Sequence, residues 1–364
     1  MGKDLIEQNQ VDKTERILLF GHAYRKSRFF ATFLICAALL IAAFAVSAVW
    51  MSRERADWQG GDTGDADTEA PSDPAPSDTQ APTDERPDTG ENGTILPTPE
   101  APPAIPEGAI PVADGDLSAS SLGAAYIQNE TLYHPSVEEL LERDLSSVVG
   151  EEPLVLILHT HASESYSAPD IAYLEGEIGD LTYSEDASRN VLAVGQTLCG
   201  TLNEKGITAI HCTVMHDALS FGSSYAKAYE SIQFFLTHYP SIRYVIDLHR
   251  DSVLTSDGTY IRAVTETEEG KVAQVMAVVG SDGGGEVNPR WQENLALALQ
   301  LRAALNDTTP ALCRPISLRN ETYNQELAPY SLLLEIGTGA NSVEEAERAA
   351  VLVGEALAKL ISGQ

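Results

Sequence analysis

Positively charged residues are scarce in this chain of 364 residues. Lysine and arginine together number 23 against 54 aspartates and glutamates, which gives a formal net charge of −31. Proteins that bind nucleic acid neutralise its phosphates with lysine and arginine, so this balance argues against nucleic acid as a partner. Much of the acidic excess lies in one segment, because twelve acids between Asp57 and Glu100 face a single arginine, Arg86. The net charge therefore describes that segment and not an active site.

Cysteine is also rare, with four residues in the whole chain. Cys36 lies in an apolar run, whereas Cys199, Cys212 and Cys313 are far apart and form no C-x-x-C pair. Because the number of cysteines outside the apolar run is odd, at least one thiol is unpaired, which excludes a complete disulfide framework. The spacing also argues against zinc binding by cysteine. We expect buried thiols, with a Cys212–Cys313 bridge as the alternative.

A long run without charge stands near the N-terminus, from Phe29 to Trp50. About 20 such residues span the hydrocarbon core of a bilayer as a helix. Just before the run lie His22, Arg25, Lys26 and Arg28. The positive-inside rule therefore predicts that residues 1–28 are cytoplasmic and that 29–50 form a single-pass signal anchor in the cell membrane. A signal peptide cleaved near Ala45-Val-Ser47 is the alternative.

The remaining chain divides by composition into a linker and a domain. Residues 51–116 are rich in acids, proline, threonine and glycine without hydrophobic periodicity, which predicts a disordered acidic linker. In residues 117–364, aliphatic strands, such as the one predicted over Val272–Val279, alternate with amphipathic helices, such as the helix that an apolar stripe predicts over Val191–Glu204. This alternation predicts an extracytoplasmic domain of the α/β class, with a mainly parallel or mixed sheet and flanking helices.

Three predicted strands of this domain carry residues suited to a catalytic metal site. The aliphatic run Leu154–Leu158 is followed by His159, His161 and Glu164. A second strand, Ile242–Leu248, is followed by His249 and Arg250, and a third, Leu332–Ile336, contains Glu335. Open parallel sheets place their ligands at the carboxyl ends of the strands. We therefore expect these side chains to meet at one edge of the sheet.

The residue types indicate a zinc hydrolase. Catalytic zinc typically takes three nitrogen or oxygen ligands and leaves the fourth position to water. His161 and Glu164, three residues apart, together with His249 complete such a His₂Glu set. Glu335 is the predicted general base, because a carboxylate inside an aliphatic strand is costly without a role. Arg250 is predicted to hold a substrate carboxylate or to polarise a carbonyl.

Two other residues are predicted to support this set. His159 and Asp247 lie where they would orient a metal-bound imidazole.

In its motifs, the chain resembles the family of stage II sporulation protein P. The resemblance extends from about Glu152 to Ile361. The motifs that carry it, in chain order, are His159-Thr-His161-Ala-Ser-Glu164-Ser-Tyr166, Arg189-Asn190-Val-x-x-Val-Gly195, Met215-His216-Asp217, Ser223-Ser-Tyr225, Ile246-Asp-Leu-His249-Arg-Asp251, Tyr323-Asn-Gln325 and Leu334-Glu335-Ile-Gly337. The predicted membrane anchor and acidic linker fit the same family.

The resemblance implies a zinc-dependent peptidoglycan hydrolase that acts during forespore engulfment in sporulation. It implies a relation to the family 3 N-acetylmuramoyl-L-alanine amidases, which cut the amide between N-acetylmuramic acid and the L-alanine of the stem peptide, and an added endopeptidase activity. It also implies action between the septal membranes, with stage II sporulation proteins D and M as partners.

The resemblance leaves alternatives at two ligand positions and for the function. In the wider amidase family the glutamate ligand opens the helix after the first strand, which makes Glu185 the alternative to Glu164. His159 is the alternative to His161. A zinc carboxypeptidase that trims stem peptides, or a tethered cell-wall scaffold without catalysis, is the alternative to the amidase.

Overall fold

The computed structural model of the chain describes residues 105–118, 127–176, 178–218 and 220–364. The predicted cytoplasmic segment, the predicted signal anchor and most of the predicted linker lie outside these residues. No helix within the described ranges is long and apolar enough to cross a membrane.

The described elements alternate between strands and helices along most of the chain. In chain order they are β1 (Ile110–Gly115), β2 (Ile127–Asn129), α1 (Val137–Leu141), β3 (Val155–Leu158), β4 (Tyr173–Leu174), α2 (Ile178–Leu181), α3 (Val191–Glu204), β5 (Ala209–His211), α4 (Ser224–His238), β6 (Tyr244–Asp251), β7 (Tyr260–Thr267), β8 (Gly270–Ala273), β9 (Val275–Gly280), α5 (Trp291–Thr308), β10 (Ile316–Arg319), β11 (Ser331–Thr338) and α6 (Val343–Ser362).

Seven of these strands form a central sheet in the order β2-β10-β9-β11-β6-β3-β5. Every neighbouring pair is parallel except β9 and β11, which are antiparallel. Helices pack on both faces: Val155 and Ile157 of β3 belong to the core cluster that contains α3, α5 and α6, whereas Leu156 and Leu158 pack with α4. Strands buried on both faces read as continuous aliphatic runs, as β3 does. The predicted mixed α/β architecture with flanking helices is confirmed.

A second, four-stranded sheet in the order β4-β1-β7-β8 corrects two predictions. The predicted disordered linker extends to residue 116, but β1 within it pairs in parallel with β7, from Val112 opposite Tyr260 to Gly115 opposite Ala263. The prediction failed because β1 is short and its apolar residues follow a proline-rich acidic stretch. A single strand predicted over Val272–Val279 is instead β8 and β9, which separate at the buried Gln274 and enter different sheets.

Helix α3 has the bounds that the sequence predicts, and one glycine in it allows a close contact with the sheet. The side chain of Asn190 caps the helix by accepting a hydrogen bond from the Leu192 N–H at 3.0 Å. A Cβ atom at Gly195 would lie 2.6 Å from Nε2 of His159 and 2.7 Å from Nε2 of His211. These two nitrogens are 2.8 Å apart and share a hydrogen bond beneath the helix. Glycine is therefore needed at position 195, because a larger side chain would collide with the two histidine rings.

Two glycines of α3 provide a matched test of this packing. We expect Gly195→Ala to lower the free energy of unfolding by about 1–3 kcal/mol, because the methyl group would displace the buried histidine pair. Gly200→Ala, one and a half turns further along the same helix, meets nothing within 4 Å. It should raise the free energy of unfolding by about 0.5–1 kcal/mol through helix propensity. Urea denaturation of both variants measures this, and equal effects would contradict the packing argument.

The same histidine pair predicts how stability depends on pH. Burial lowers the pKa of His159 to about 3 and the pKa of His211 to about 4, from an ordinary value of 6.5. Between pH 6.5 and 4 the unfolded chain binds more protons than the folded protein, so stability falls as pH falls through this range. The slope is about 1.4 kcal/mol per pH unit for each histidine that differs by a full proton.

We therefore expect His211→Gln to make the loss of stability between pH 6.5 and 4 smaller than in the wild type. Glutamine keeps a polar group beside His159 but does not take up a proton. Thermal unfolding of both proteins across this range, each with a chelator present so that metal loss does not contribute, is the measurement. Parallel pH curves for the two proteins would rule out His211 as a source of acid sensitivity.

Candidate metal centre

The register of the central sheet brings three of the sequence-predicted strand ends together. Strand β3 pairs with β6 with Leu158 opposite Asp247, so the residues that follow β3 lie beside the last residues of β6. On the other side of β6, Glu335 of β11 lies opposite His249. Histidines and carboxylates that are far apart in sequence thus converge on one edge of the sheet.

His161, Glu164 and His249 form a cluster in which one ligand atom of each lies within 4.8 Å of the others. Nδ1 of His249 is 3.1 Å from Oε2 of Glu164, and Nδ1 of His161 is 3.7 Å from Oε1 of the same carboxylate. His249 is 3% exposed and His161 is 13% exposed at the side chain. The His161 edge of the cluster is therefore the one nearer to solvent. These are the three residues that the sequence predicts as metal ligands.

The imidazole of His249 lies between two buried carboxylates. Its Nε2 is 3.1 Å from Oδ1 of Asp247, although the two atoms are not aligned for a hydrogen bond. Burial lowers the pKa of His249, but the charges of Asp247 and Glu164 outweigh burial and raise that pKa well above its ordinary value. Burial likewise raises the pKa of Glu164, but the charge of His249 and hydrogen bonds from His161 and His249 lower it overall. The site is thus built to hold positive charge between fixed carboxylates.

This donor set fits a zinc ion. Zinc binds histidine nitrogen at about 2.0–2.1 Å and carboxylate oxygen at about 2.0–2.2 Å, so two ligands of a tetrahedral ion lie about 3.4 Å apart. The separations of 3.1 and 3.7 Å within the cluster bracket this value. Two imidazoles and one carboxylate are also a ligand set that catalytic zinc sites use.

The carboxyl group of Asp247 is fixed by Thr160. The Thr160 N–H donates to Oδ1 at 2.8 Å, and its hydroxyl donates to Oδ2 at 2.6 Å. Asp247 is therefore positioned to orient the ring of His249 from the side away from Glu164, as the sequence predicts. The sequence-based prediction did not include Thr160 among the residues that support the site. Its position between His159 and His161 was the one local signal for such a role.

Glu335 places a second carboxyl group beside the cluster, and its Oε2 atom is buried without a hydrogen-bond partner. Burial raises the pKa of Glu335 above its ordinary value, although the nearby charge of His249 opposes this. A carboxyl group of this kind exchanges protons more readily near neutral pH than an exposed glutamate does.

The side chain of Arg250 is buried and bonds backbone carbonyl groups. The side chain is 4% exposed; its Nε donates to the carbonyl of Ser165 at 3.2 Å and its Nη2 donates to the carbonyl of Thr182 at 2.6 Å. Its guanidinium also lies 4.9 Å from the ring centroid of Tyr183, and its backbone N–H donates to Glu164 at 3.2 Å. These contacts hold the loop that carries Glu164, so they favour a positioning role for Arg250 over direct contact with substrate.

The two alternative ligands lie outside the cluster. His159 is fully buried, with Nδ1 bonded to the carbonyl of Leu248 at 2.8 Å and Nε2 bonded to His211. Glu185 is exposed on the loop before α3. The geometry therefore favours His161 and Glu164 over His159 and Glu185.

Two aromatic rings flank His161. Phe221 stacks on the imidazole with ring centroids 4.1 Å apart and an interplanar angle of 11°. Tyr225, in the first turn of α4, meets the same imidazole edge to face at 5.6 Å and 87°. Sequence reasoning did not assign a role to either ring, and nothing in the local sequence marks Phe221.

The three buried cysteines are free thiols, as expected. None of Cys199, Cys212 and Cys313 belongs to the metal cluster.

Comparison with solved structures finds peptidoglycan amidases at low similarity. The N-acetylmuramoyl-L-alanine amidase AmiC2 of Nostoc punctiforme is 15% identical over 59% of this chain and 97% of its own, with a TM-score of 0.34. The amidase Ami1 from Mycobacterium smegmatis is 14% identical over 58% and 99%, with a TM-score of 0.36. The CwlD amidase from Clostridioides difficile, solved with the GerS lipoprotein, is 13% identical over 58% and 100%, with a TM-score of 0.34. At TM-scores below 0.5 these similarities do not establish a shared fold.

Comparison by sequence gives a firmer result. Stage II sporulation protein P of Bacillus subtilis (strain 168) is 30% identical to this chain over 213 residues, which are 55% of the chain and 49% of that relative. The match thus spans about half the length of the relative. The family model for stage II sporulation protein P matches residues 73–358, most of the chain. The chain therefore belongs to the stage II sporulation protein P family.

Proposed function

We propose that this protein is a zinc-dependent peptidoglycan hydrolase that cleaves the amide between N-acetylmuramic acid and the L-alanine of the stem peptide. The observation that carries the proposal is the cluster of His161, Glu164 and His249 beside the buried, unpartnered carboxyl group of Glu335. Three ligands leave one position of a tetrahedral ion open, which distinguishes a catalytic site from a structural one. Membership of the family supports peptidoglycan as the substrate.

The residues of the site have different roles in amide hydrolysis. His161, Glu164 and His249 would hold zinc, which polarises the scissile carbonyl and makes water more acidic. Glu335 accepts a proton from the water whose oxygen adds to the carbonyl carbon. The same carboxyl group then donates that proton to the leaving nitrogen as the C–N bond breaks. The products are a carboxylic acid on the glycan and a free amine on the stem peptide, so atoms and protons balance.

We further propose the setting of this reaction. The chain is anchored by residues 29–50, with residues 117–364 in the space between the septal membranes during forespore engulfment. Stage II sporulation proteins D and M are the proposed partners, and cleavage of peptide cross-links is a proposed second activity. The apolar run after a basic segment supports the anchor, and membership of the family supports the sporulation setting.

Digestion of purified peptidoglycan tests the proposed reaction. The full chain in mild detergent is incubated with the substrate, and the released fragments are identified by mass spectrometry. We expect stem peptides with a free L-alanine amine, released by the zinc-loaded protein, absent after chelation and restored when zinc is added back.

Other fragments would change the assignment. Release of D-alanine alone would indicate a carboxypeptidase. No release from the zinc-loaded protein, alone or with its proposed partners, would indicate a cell-wall scaffold. Release that survives complete removal of metal would rule out zinc dependence.

Two glutamate-to-glutamine variants test whether Glu335 is the general base. We expect Glu335→Gln to lower kcat by roughly 10²–10⁴-fold, because the amide neither accepts nor delivers the proton. Its affinity for zinc should stay close to that of the wild type, since Glu335 is outside the ligand set. Glu185→Gln is the matched control and should leave both activity and zinc affinity unchanged. Zinc affinity that falls with Glu185→Gln would instead restore Glu185 as the ligand.

A further inference from the structure

We propose that Tyr225 is a further catalytic residue, whose hydroxyl donates a hydrogen bond to the scissile carbonyl oxygen as negative charge develops on it. This inference deepens the proposed amide hydrolysis and rests on it for the identity of the reacting group.

Tyr225 lies at the exposed edge of the metal cluster. Its ring meets the imidazole of His161 edge to face at 5.6 Å, and His161 is the ligand nearest to solvent. Tyr225 and Phe221 are thus the two aromatic rings beside the ligand nearest to solvent.

A cavity of about 690 Å³ borders Tyr225. Its lining residues come from the start of α4 and from two loops, and they include Tyr225, Tyr229, Tyr323 and Asn324. Tyr225 belongs both to this lining and to the surroundings of His161. A substrate in the cavity would thus reach the metal cluster across the Tyr225 side chain.

The loop opposite α4 fixes Tyr225 in this position. The Asn324 side chain donates to the Tyr225 carbonyl at 3.0 Å, and the ring of Tyr323 lies 6.0 Å from the ring of Tyr225. Tyr323 and Asn324 both have left-handed backbone conformations, with φ of 53° and 60°. Asparagine adopts this conformation more readily than most residues, but for tyrosine it is costly and persists where the surrounding structure requires it. The strained turn is thus part of what holds Tyr225 beside the cluster.

The hydroxyl of Tyr225 has no hydrogen-bond partner among the described residues, although the residue is half-buried. Burial raises the pKa of the Tyr225 hydroxyl above its ordinary value, so the group stays protonated under ordinary conditions and can donate a hydrogen bond. Tyr229, one turn later on α4, differs in this respect because its hydroxyl accepts a hydrogen bond from Gln233 at 3.0 Å. Of this pair, Tyr225 is therefore the tyrosine whose hydroxyl neither donates nor accepts a hydrogen bond within the described residues.

Amide hydrolysis has a step that a hydrogen-bond donor at this position would favour. When water adds to the carbonyl carbon, the electron pair of the C=O bond moves to oxygen and negative charge grows there. A prepositioned donor lowers the energy of this charged state more than that of the neutral amide. Tyr225 keeps its own proton throughout, so the water proton still goes to Glu335 and then to the leaving nitrogen.

The test compares Tyr225→Phe with Tyr239→Phe, since each change removes one tyrosine hydroxyl. Tyr239 follows the last residue of α4, is exposed and does not line the cavity. With zinc-loaded protein and peptidoglycan, Tyr225→Phe should lower kcat by roughly 10²–10³-fold and leave KM within a factor of about two. Tyr239→Phe should leave both constants near those of the wild type. Zinc affinity and thermal midpoint should be unchanged in both variants.

A binding measurement separates this inference from the proposed function. The probe is a phosphinate analogue of the muramoyl–L-alanine linkage, whose charged oxygens stand for the developing oxyanion. Calorimetry should show affinity for this analogue reduced at least tenfold by Tyr225→Phe, with affinity for the product stem peptide unchanged. Full activity or full analogue affinity in Tyr225→Phe, or an equal loss in Tyr239→Phe, would overturn the role of Tyr225. If the wild type cleaves nothing, the proposed function fails and the analogue comparison still decides the role of the hydroxyl.

Discussion

The structure depends on the cost of burying charge at one edge of the sheet. His249, Glu164 and Asp247 are all less than 10% exposed, and each would be strongly unfavourable alone. They are tolerable together because imidazole lies between the two carboxylates, 3.1 Å from each. The surrounding residues serve this arrangement, since Thr160 fixes Asp247 and Arg250 fixes the loop that carries Glu164.

This constraint explains why so many polar groups near the site point at backbone rather than at open space. The loop between β3 and α3 has little regular structure, so its position must come from side chains. Ser163 donates to Asp217 from both its N–H and its hydroxyl, at 3.1 and 2.5 Å. Arg250 bonds the carbonyls of Ser165 and Thr182. A metal site gains precision when the residues around its ligands are themselves fixed.

Much of the fold and the candidate site could be predicted from the sequence where a local pattern had one physical meaning. The apolar stripe of α3 predicted its bounds, and the aliphatic runs of β3 and β6 predicted strands buried on both faces. The prediction failed where the pattern was short or ambiguous. Strand β1 followed a proline-rich stretch, and the run that contains β8 and β9 was continuous in hydrophobicity although Gln274 separates the strands into different sheets.

By itself the sequence determined the types of residue available for chemistry and the strands that carry them. Histidine and carboxylate at the ends of aliphatic runs are local features, and so are the family motifs. The tertiary structure decided which of these residues meet. His159 and His161 are two residues apart, yet one bonds His211 beneath Gly195 and the other joins the cluster. The role of Arg250 and the position of Tyr225 beside His161 were likewise decided by contacts between distant segments, because side-chain direction depends on packing that no local pattern contains.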